Sequence, residues 1–315
     1  MNIKNRKFNI LDIKGNSLDD GPGIRTVIFF KGCPLSCVWC HNPESKTVDT
    51  QLSYDPKECI ACDDCINSCS QGALSRENPF FIDRYLCRQC FECVNICPSS
   101  ALSRVGRPMG INDIVFEIEK DLPFFQTSNG GVTFSGGEPT VYMDFLSQLI
   151  QICKSKGIHT LLETCGYFHW ETFQAKILSH IDMIYYDIKI FDSKAHLKYC
   201  GQENLLILNN FIKLNKRIKD TNIRLLPRTP LIPGITATSE NITAIATFLS
   251  ENNITQAQLL EYNPLWLDKN YKIGVSNPYV QKIEMAQWMR QDEINKFKLI
   301  FEQSGIKGAI QCLRS

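Results

Sequence analysis

Eleven of the fifteen cysteines fall into three spaced groups, and that spacing limits the fold more than any other feature of the chain. Two groups repeat one pattern: Cys59-x2-Cys62-x2-Cys65-x3-Cys69 and Cys87-x2-Cys90-x2-Cys93-x3-Cys97-Pro98. The third, Cys33-x3-Cys37-x2-Cys40, precedes them. A run of four thiolates at the repeated spacing supplies the ligands of one four-iron cluster. A triplet leaves one iron of such a cluster without a protein ligand. Closed clusters carry electrons, whereas an open iron can take a reactant.

The rest of the composition narrows the setting. A net charge of +1 gives no field to steer nucleic acid or an anionic membrane. Lys213, Lys216, Arg217 and Lys219 read as a solvated helix face. Residues 1–9 are basic and polar with no apolar stretch behind them, so no signal peptide is expected. No run nears the roughly 18 apolar residues of a membrane span. The expected location is the cytoplasm, where disulfides rarely persist and so many cysteines imply metal or redox work. Cys153, Cys165, Cys200 and Cys312 lie outside the runs and are expected as small buried hydrophobes. Cys165 is expected nearest the site, because its neighbours carry chemistry.

β-Branched and aromatic runs at 24–30, 132–135, 158–163, 181–188, 223–226 and 257–261 read as strands. Helical spacing separates them, as in Ile111, Ile114, Val115 and Ile118, or Phe145, Leu146, Leu149, Ile150 and Cys153 closed by Gly157. Ile242, Ile245, Ala246 and Leu249 form another such stripe, and Ile294, Phe297, Ile300 and Phe301 a last one. Alternating strands and helices predict an α/β fold on a parallel sheet. Six strands are two short of a full eight-stranded barrel, so the expectation is an incomplete (βα)6 barrel. Residues 54–104 break the alternation. Their two cysteine runs start 28 residues apart, from Cys59 to Cys87, as in an internally duplicated ferredoxin-like unit. That segment is expected to lean on its clusters, since it has few apolar side chains. The barrel is then split into 1–53 and 105–315.

Zinc is the competing ligand for soft thiolates. Structural zinc takes four ligands. The triplet could find a fourth only in His41, next to Cys40, which strains a tetrahedral site. The doubled run has the spacing and terminal proline of iron–sulfur proteins instead. In two-cluster ferredoxins the last cysteine of each run ligates the other cluster. One cluster is therefore assigned Cys59, Cys62, Cys65 and Cys97, and the other Cys87, Cys90, Cys93 and Cys69.

The remaining motifs follow predicted strands, where parallel α/β folds place their sites. They are Ser135-Gly136-Gly137-Glu138-Pro139, Glu163-Thr164, Asp187-Ile188-Lys189, and Arg228 ahead of Pro233-Gly234. Taken alone, these are a tight turn, two strand ends and a surface arginine. Together with the triplet and Trp39 they resemble the radical S-adenosylmethionine (SAM) enzymes. Asp20-Gly21-Pro22-Gly23-Ile24-Arg25, with Pro34, His41, Asn42, Pro43 and Glu44 around the triplet, narrows the resemblance to glycyl-radical enzyme activating enzymes. It spans nearly the whole chain. The insert is similar to that of the longer members, which serve glycerol and choline lyases or arylacetate decarboxylases. The short pyruvate formate-lyase activator lacks it.

The resemblance implies three 4Fe-4S clusters, one of them coordinating SAM through Cys33, Cys37 and Cys40. It implies that Trp39 packs on the adenine and that Gly136, Gly137 and Glu138 receive the methionyl ammonium. Glu163 and Thr164 would face the ribose and a monovalent cation. Asp187-Ile188-Lys189 would correspond to an Asp-Leu-Lys motif whose lysine, Lys189, meets the SAM carboxylate, with Arg228 close by. Asp20 would lie where the partner's glycine loop approaches. Gly137 is expected to reject side chains because SAM lies against it. One departure is Leu260-Glu261-Tyr262-Asn263, where the family often has Leu-Pro-Tyr-His; Asn263 can hydrogen-bond but cannot be a cation. The implied function is activation of a glycyl-radical enzyme, with flavodoxin or ferredoxin as reductant. The rivals are a radical SAM enzyme acting on a small molecule and a ferredoxin-type electron carrier, which has no use for an open triplet.

Overall fold

The protein is described by a computed structural model covering residues 6–311, so Cys312 lies outside the described residues. Among the described residues eleven strands form: β1 (Phe8–Ser17), β2 (Arg25–Phe30), β3 (Gln51–Tyr54), β4 (Leu102–Val105), β5 (Arg107–Met109), β6 (Gly131–Gly136), β7 (His159–Thr164), β8 (Met183–Asp187), β9 (Arg224–Pro230), β10 (Gln256–Leu260) and β11 (Lys307–Gln311). Among the described residues, nine of them make one sheet in the order β11-β10-β9-β8-β7-β6-β2-β1-β5. All six expected strands are there, running parallel from β2 through β10. The sheet extends further than the sequence suggested. β11 adds a seventh parallel strand, while β1 and β5 close the other side antiparallel.

The helices are α1 (Asp64–Ser68), α2 (Glu92–Ile96), α3 (Ile111–Glu119), α4 (Leu122–Ser128), α5 (Met143–Ser155), α6 (Trp170–Lys176), α7 (Ser193–Cys200), α8 (Leu205–Ile218), α9 (Ser239–Glu251), α10 (Trp266–Lys272) and α11 (Gln291–Gln303). None is long and apolar enough to cross a membrane, among the described residues. The apolar stripes read from the sequence lie on α3, α5, α9 and α11 and are buried in the main core. On α8, Lys213, Lys216 and Arg217 face solvent opposite the buried Phe211, Leu214 and Ile218, and exposed Lys219 caps the helix.

Strand alternation sorts the sheet into two faces. Val132 and Phe134, Leu162, and Ile184 and Tyr186 join the core under the helices. Leu161, Met183 and Tyr185 form a separate cluster with Leu226. Continuing that second face by twos carries it to Glu163, Asp187 and Arg228, and on β6 from Thr133 to Ser135. A period-two pattern thus brings polar groups of four adjacent strands to one side, at the strands' carboxyl ends.

Residues between β3 and β4 form the insert, closed by the antiparallel pairing of Gln51 with Val105 and of Tyr54 with Leu102. Its duplication is visible in the backbone. α1 and α2 are 28 residues apart, and so are three pairs of left-handed residues: Ala61 and Gln89, Asp63 and Phe91, Gly72 and Ser100. Left-handed backbone is disfavoured for residues with a Cβ. Its recurrence at matched places marks two loops wound the same way around their cysteines. The insert does carry a small core, which its polar composition hid: Leu52, Tyr54, Leu74, Phe81, Ile82, Phe91, Cys93, Ala101 and Leu102.

That core is modest for a segment of about fifty residues, and domains so small usually need a metal or another staple. Iron removal by chelator and oxygen should raise amide exchange across 55–101 while β6 to β9 keep their protection. Equal protection of both regions in cluster-free protein would contradict this.

Candidate active site

The three triplet cysteines hang from the end of β2 in a loop fastened mainly by backbone. The Gly32 amide donates to Ser45 O at 2.6 Å and that of Cys33 to Lys46 O at 3.1 Å. The Ser36 and Val38 amides reach Cys200 O and Tyr199 O, at the end of α7, at 2.8 and 3.0 Å. The turn after β6 closes the loop's other side. Gly137 N donates to Phe30 O and Glu138 N to Gly32 O, both at 2.8 Å.

This packing revises the reason for Gly137. A Cβ there would lie 2.3 Å from Gly32 O and 3.0 Å from Ser45 O, so the cysteine loop is what excludes a side chain. Gly136 has φ +102 and presses equally on Phe30. Glu138 is also different from expectation. It is fully buried, and its carboxylate accepts from Thr140 N, Thr140 Oγ1, Thr164 Oγ1 and Cys165 N. It clamps the turn to β7 and does not line the cavity.

A cavity of about 310 Å³, in the range of small-molecule sites, opens beside the loop. Cys33, Cys37, Cys40, Trp39, Gly136 and Gly137 line it on one side. Glu163, Thr164, Asp187, Lys189, Arg228 and Asp20 line it on the other. Cys165 is there too, buried with Cys153 and Cys200. Asn263 is not: its side chain accepts from Leu265 N at 2.9 Å, and the end of β10 contributes Leu260 and, just past it, Glu261 instead. Glu261 and Ser135 stood in quoted motifs but were given no role from the sequence. The signal for Glu261 was its place directly after a strand's last residue.

Charges in the cavity are paired. Arg228 is almost fully buried and spans two carboxylates, Glu163 at 2.6 Å and Asp187 at 3.0 Å. It is not a surface arginine. Ser135 Oγ donates to Glu163 at 2.6 Å, and Lys189 Nζ meets Asp187 at 2.7 Å. Burial opposes the charge on Asp187, yet Lys189 and Arg228 outweigh it and hold its carboxyl below the usual range. Asp20 is the contrast. Burial, and then the charge of Glu163, push it above the usual range, while the Ser17 hydroxyl donates to it.

The thiols fit a metal cluster. Burial pushes Cys40 up to about 12, so its thiol would ionise only against a compensating cation. Cys37 is lowered, first because the Cys200 thiol donates to it. Burial, then Lys269, lowers His41 to about 4, which keeps it neutral. In the insert, Cys59, Cys62, Cys65 and Cys97 line one small cavity, and Cys69, Cys87, Cys90 and Cys93 line another. Among the described residues, no three His, Cys, Asp or Glu side chains converge as they would on one metal ion. Thiolates at the corners of a four-iron cluster stand further apart.

Gly137→Val should therefore displace the cysteine loop and not only the ligand beside it. After anaerobic reconstitution it should hold about four irons fewer than the parent chain. Full iron with loss of SAM binding alone would restore the simpler reading, that the glycine makes room for SAM.

Comparison with known proteins agrees with this geometry. The sequence profile of the radical SAM superfamily matches residues 87–244, and that of a 4Fe-4S single cluster domain matches 19–72. The trans-4-hydroxy-L-proline dehydratase activating enzyme of Clostridioides difficile is 40% identical over 96% of this chain and 98% of its own. The isethionate sulfite-lyase activating enzyme of Oleidesulfovibrio alaskensis is 37% identical over 82% of this chain and 84% of its own. A radical SAM methyltransferase from Sphaerobacter thermophilus shares the fold, with TM-score 0.55, 11% identity, and coverage of 97% of this chain and 78% of that one. The chain belongs to the radical SAM superfamily, among the glycyl-radical enzyme activating enzymes.

Proposed function

We propose that Cys33, Cys37 and Cys40 hold a four-iron cluster, that the adjoining cavity binds SAM, and that the substrate is a backbone glycine of a partner enzyme. The observation that carries this reading is the meeting of three thiols and a set of paired charges in one cavity. Trp39, with Leu35 and Ile232, gives the cavity an apolar wall that suits an adenine and keeps water out. Lys189 and Arg228 are the cations available to the methionyl carboxylate. Glu138 is already taken up by its donors, so the methionyl ammonium falls to main-chain oxygens of the Gly136–Gly137 turn. Thr164 and Glu163 lie toward the ribose. Because Arg228 already bridges Glu163 and Asp187, these carboxylates need no separate monovalent cation.

The segment 54–104, between the barrel portions 1–53 and 105–315, is read as a two-cluster unit that takes electrons from flavodoxin or ferredoxin in the cytoplasm. Bound together, a reduced cluster and SAM would supply the one-electron chemistry that removes a hydrogen atom from the partner's glycine, with methionine and 5′-deoxyadenosine as the products. The protein's share is position and exclusion of water.

The enzymes that its relatives activate differ, and 40% against 37% identity does not separate them. The first partners to try are trans-4-hydroxy-L-proline dehydratase, isethionate sulfite-lyase and 4-hydroxyphenylacetate decarboxylase. Each would be labelled with deuterium at the glycine α-carbon and mixed with the reduced chain and SAM. Deuterium should appear in 5′-deoxyadenosine, and the paramagnetic signal should sit on the partner. Consumption of a small metabolite with no transfer from any partner would favour the small-molecule reading instead.

A further inference from the structure

A second cavity, of about 420 Å³, lies between the barrel and the insert. Its walls come from Leu11, Asp12 and Lys14 of β1, Arg104 of β4, and Lys269 and Lys272 of α10. It shares Phe29 and Asn42 with the triplet cavity, so the two adjoin.

The backbone explains why space opens here. β5 pairs with β1 only from Phe8 opposite Met109 to Ile10 opposite Arg107. The next residue toward β4 is Gly106, at φ +83, where a Cβ would strike the buried Lys31 side chain at 2.3 Å. There the chain swings off β1 into β4. From Leu11 onward the outer edge of β1 has no strand partner among the described residues. An unpaired edge offers a row of N–H and C=O groups to an extended peptide.

The charges favour an occupant with acceptors. Four cations, Lys14, Arg104, Lys269 and Lys272, line the cavity against two carboxylates, Asp12 and Glu44. Lys269 is spent on Glu44 at 3.2 Å and Lys272 on Asp55 at 2.7 Å. Lys14 and Arg104 are exposed, and neither forms an ion pair among the described residues. Arg104 is steadied from behind by Phe91, whose ring lies 4.0 Å from its guanidinium carbon.

We infer that this cavity receives the glycine-bearing segment of the partner enzyme, laid extended along the edge of β1, with its carbonyls and carboxylates toward Lys14 and Arg104. The inference rests on the activating reading above. A substrate glycine inside a polypeptide has chain on both sides, and that chain must leave the triplet cavity. The adjoining cavity supplies a route with an open strand edge. Through Arg104 the insert then takes part in partner recognition as well as in holding clusters.

The test uses full-length, reconstituted protein and whichever of the three named partners the parent chain activates. Lys14→Glu and Arg104→Glu would be combined, and glycyl-radical formation followed against partner concentration. The partner's apparent KM should rise about tenfold, with iron content and partner-free SAM cleavage by dithionite unchanged. Added salt should raise that KM for the parent chain more than for the charge-reversed one. A benzoylphenylalanine photo-crosslinker replacing Leu11 should form its adduct within the partner's glycine-bearing segment. An unchanged KM, or an adduct elsewhere on the partner, would overturn the inference. Absence of deuterium transfer by the parent chain is a different result, and it would sink the activating reading itself.

Discussion

The cysteine loop is fixed by main chain, and the rest of the site is arranged around that fact. Six amide-to-carbonyl bonds tie it to residues 45–46, to the end of α7 and to the turn after β6. Each contributes only about 1 kcal/mol net, but each also satisfies a backbone group that burial would otherwise penalise. The glycines at 136 and 137 are the condition for this, because a side chain at either would collide with backbone. Loop position is thus set largely by main-chain contacts.

The opposite wall has another logic. Burying Glu163, Asp187, Lys189 and Arg228 together is tolerable because each carboxylate meets a cation. Such groups cost stability when left single and add little when paired. Under the proposed function their value is direction: Lys189 and Arg228 are the cations that would orient an anionic group beside the cysteine loop. Asp20 stands apart, its carboxyl driven toward the neutral form by burial and by Glu163.

Much of the fold was legible because β-branched runs and helical stripes are local signals. β11 was not, since Lys307–Gln311 holds a single β-branched residue. β1 was hidden by register shifts after Ile10 and after Lys14, which break its alternation. β5 is three residues long with a proline in the middle. In the site, most motif residues were legible because they close parallel strands. Glu138 misled because an acid after two glycines looks like a ligand. The local reading was available: Pro139 opens a one-turn 3-10 helix and Thr140 N donates to Glu138, a helix-capping pattern. The insert's core escaped notice because its apolar residues follow no period and meet only when β3 pairs with β4.

The proposed function requires that SAM meet an open iron in the cavity beside the triplet. The direct measurement is electron–nuclear double resonance of the reduced protein with SAM carrying carbon-13 in its carboxylate. A carbon-13 coupling to the reduced cluster should appear, and it should vanish in the chain with Cys33, Cys37 and Cys40 replaced by alanine while the insert's signals persist. A coupling that survives those replacements, or none in fully loaded protein with SAM bound, would contradict the account.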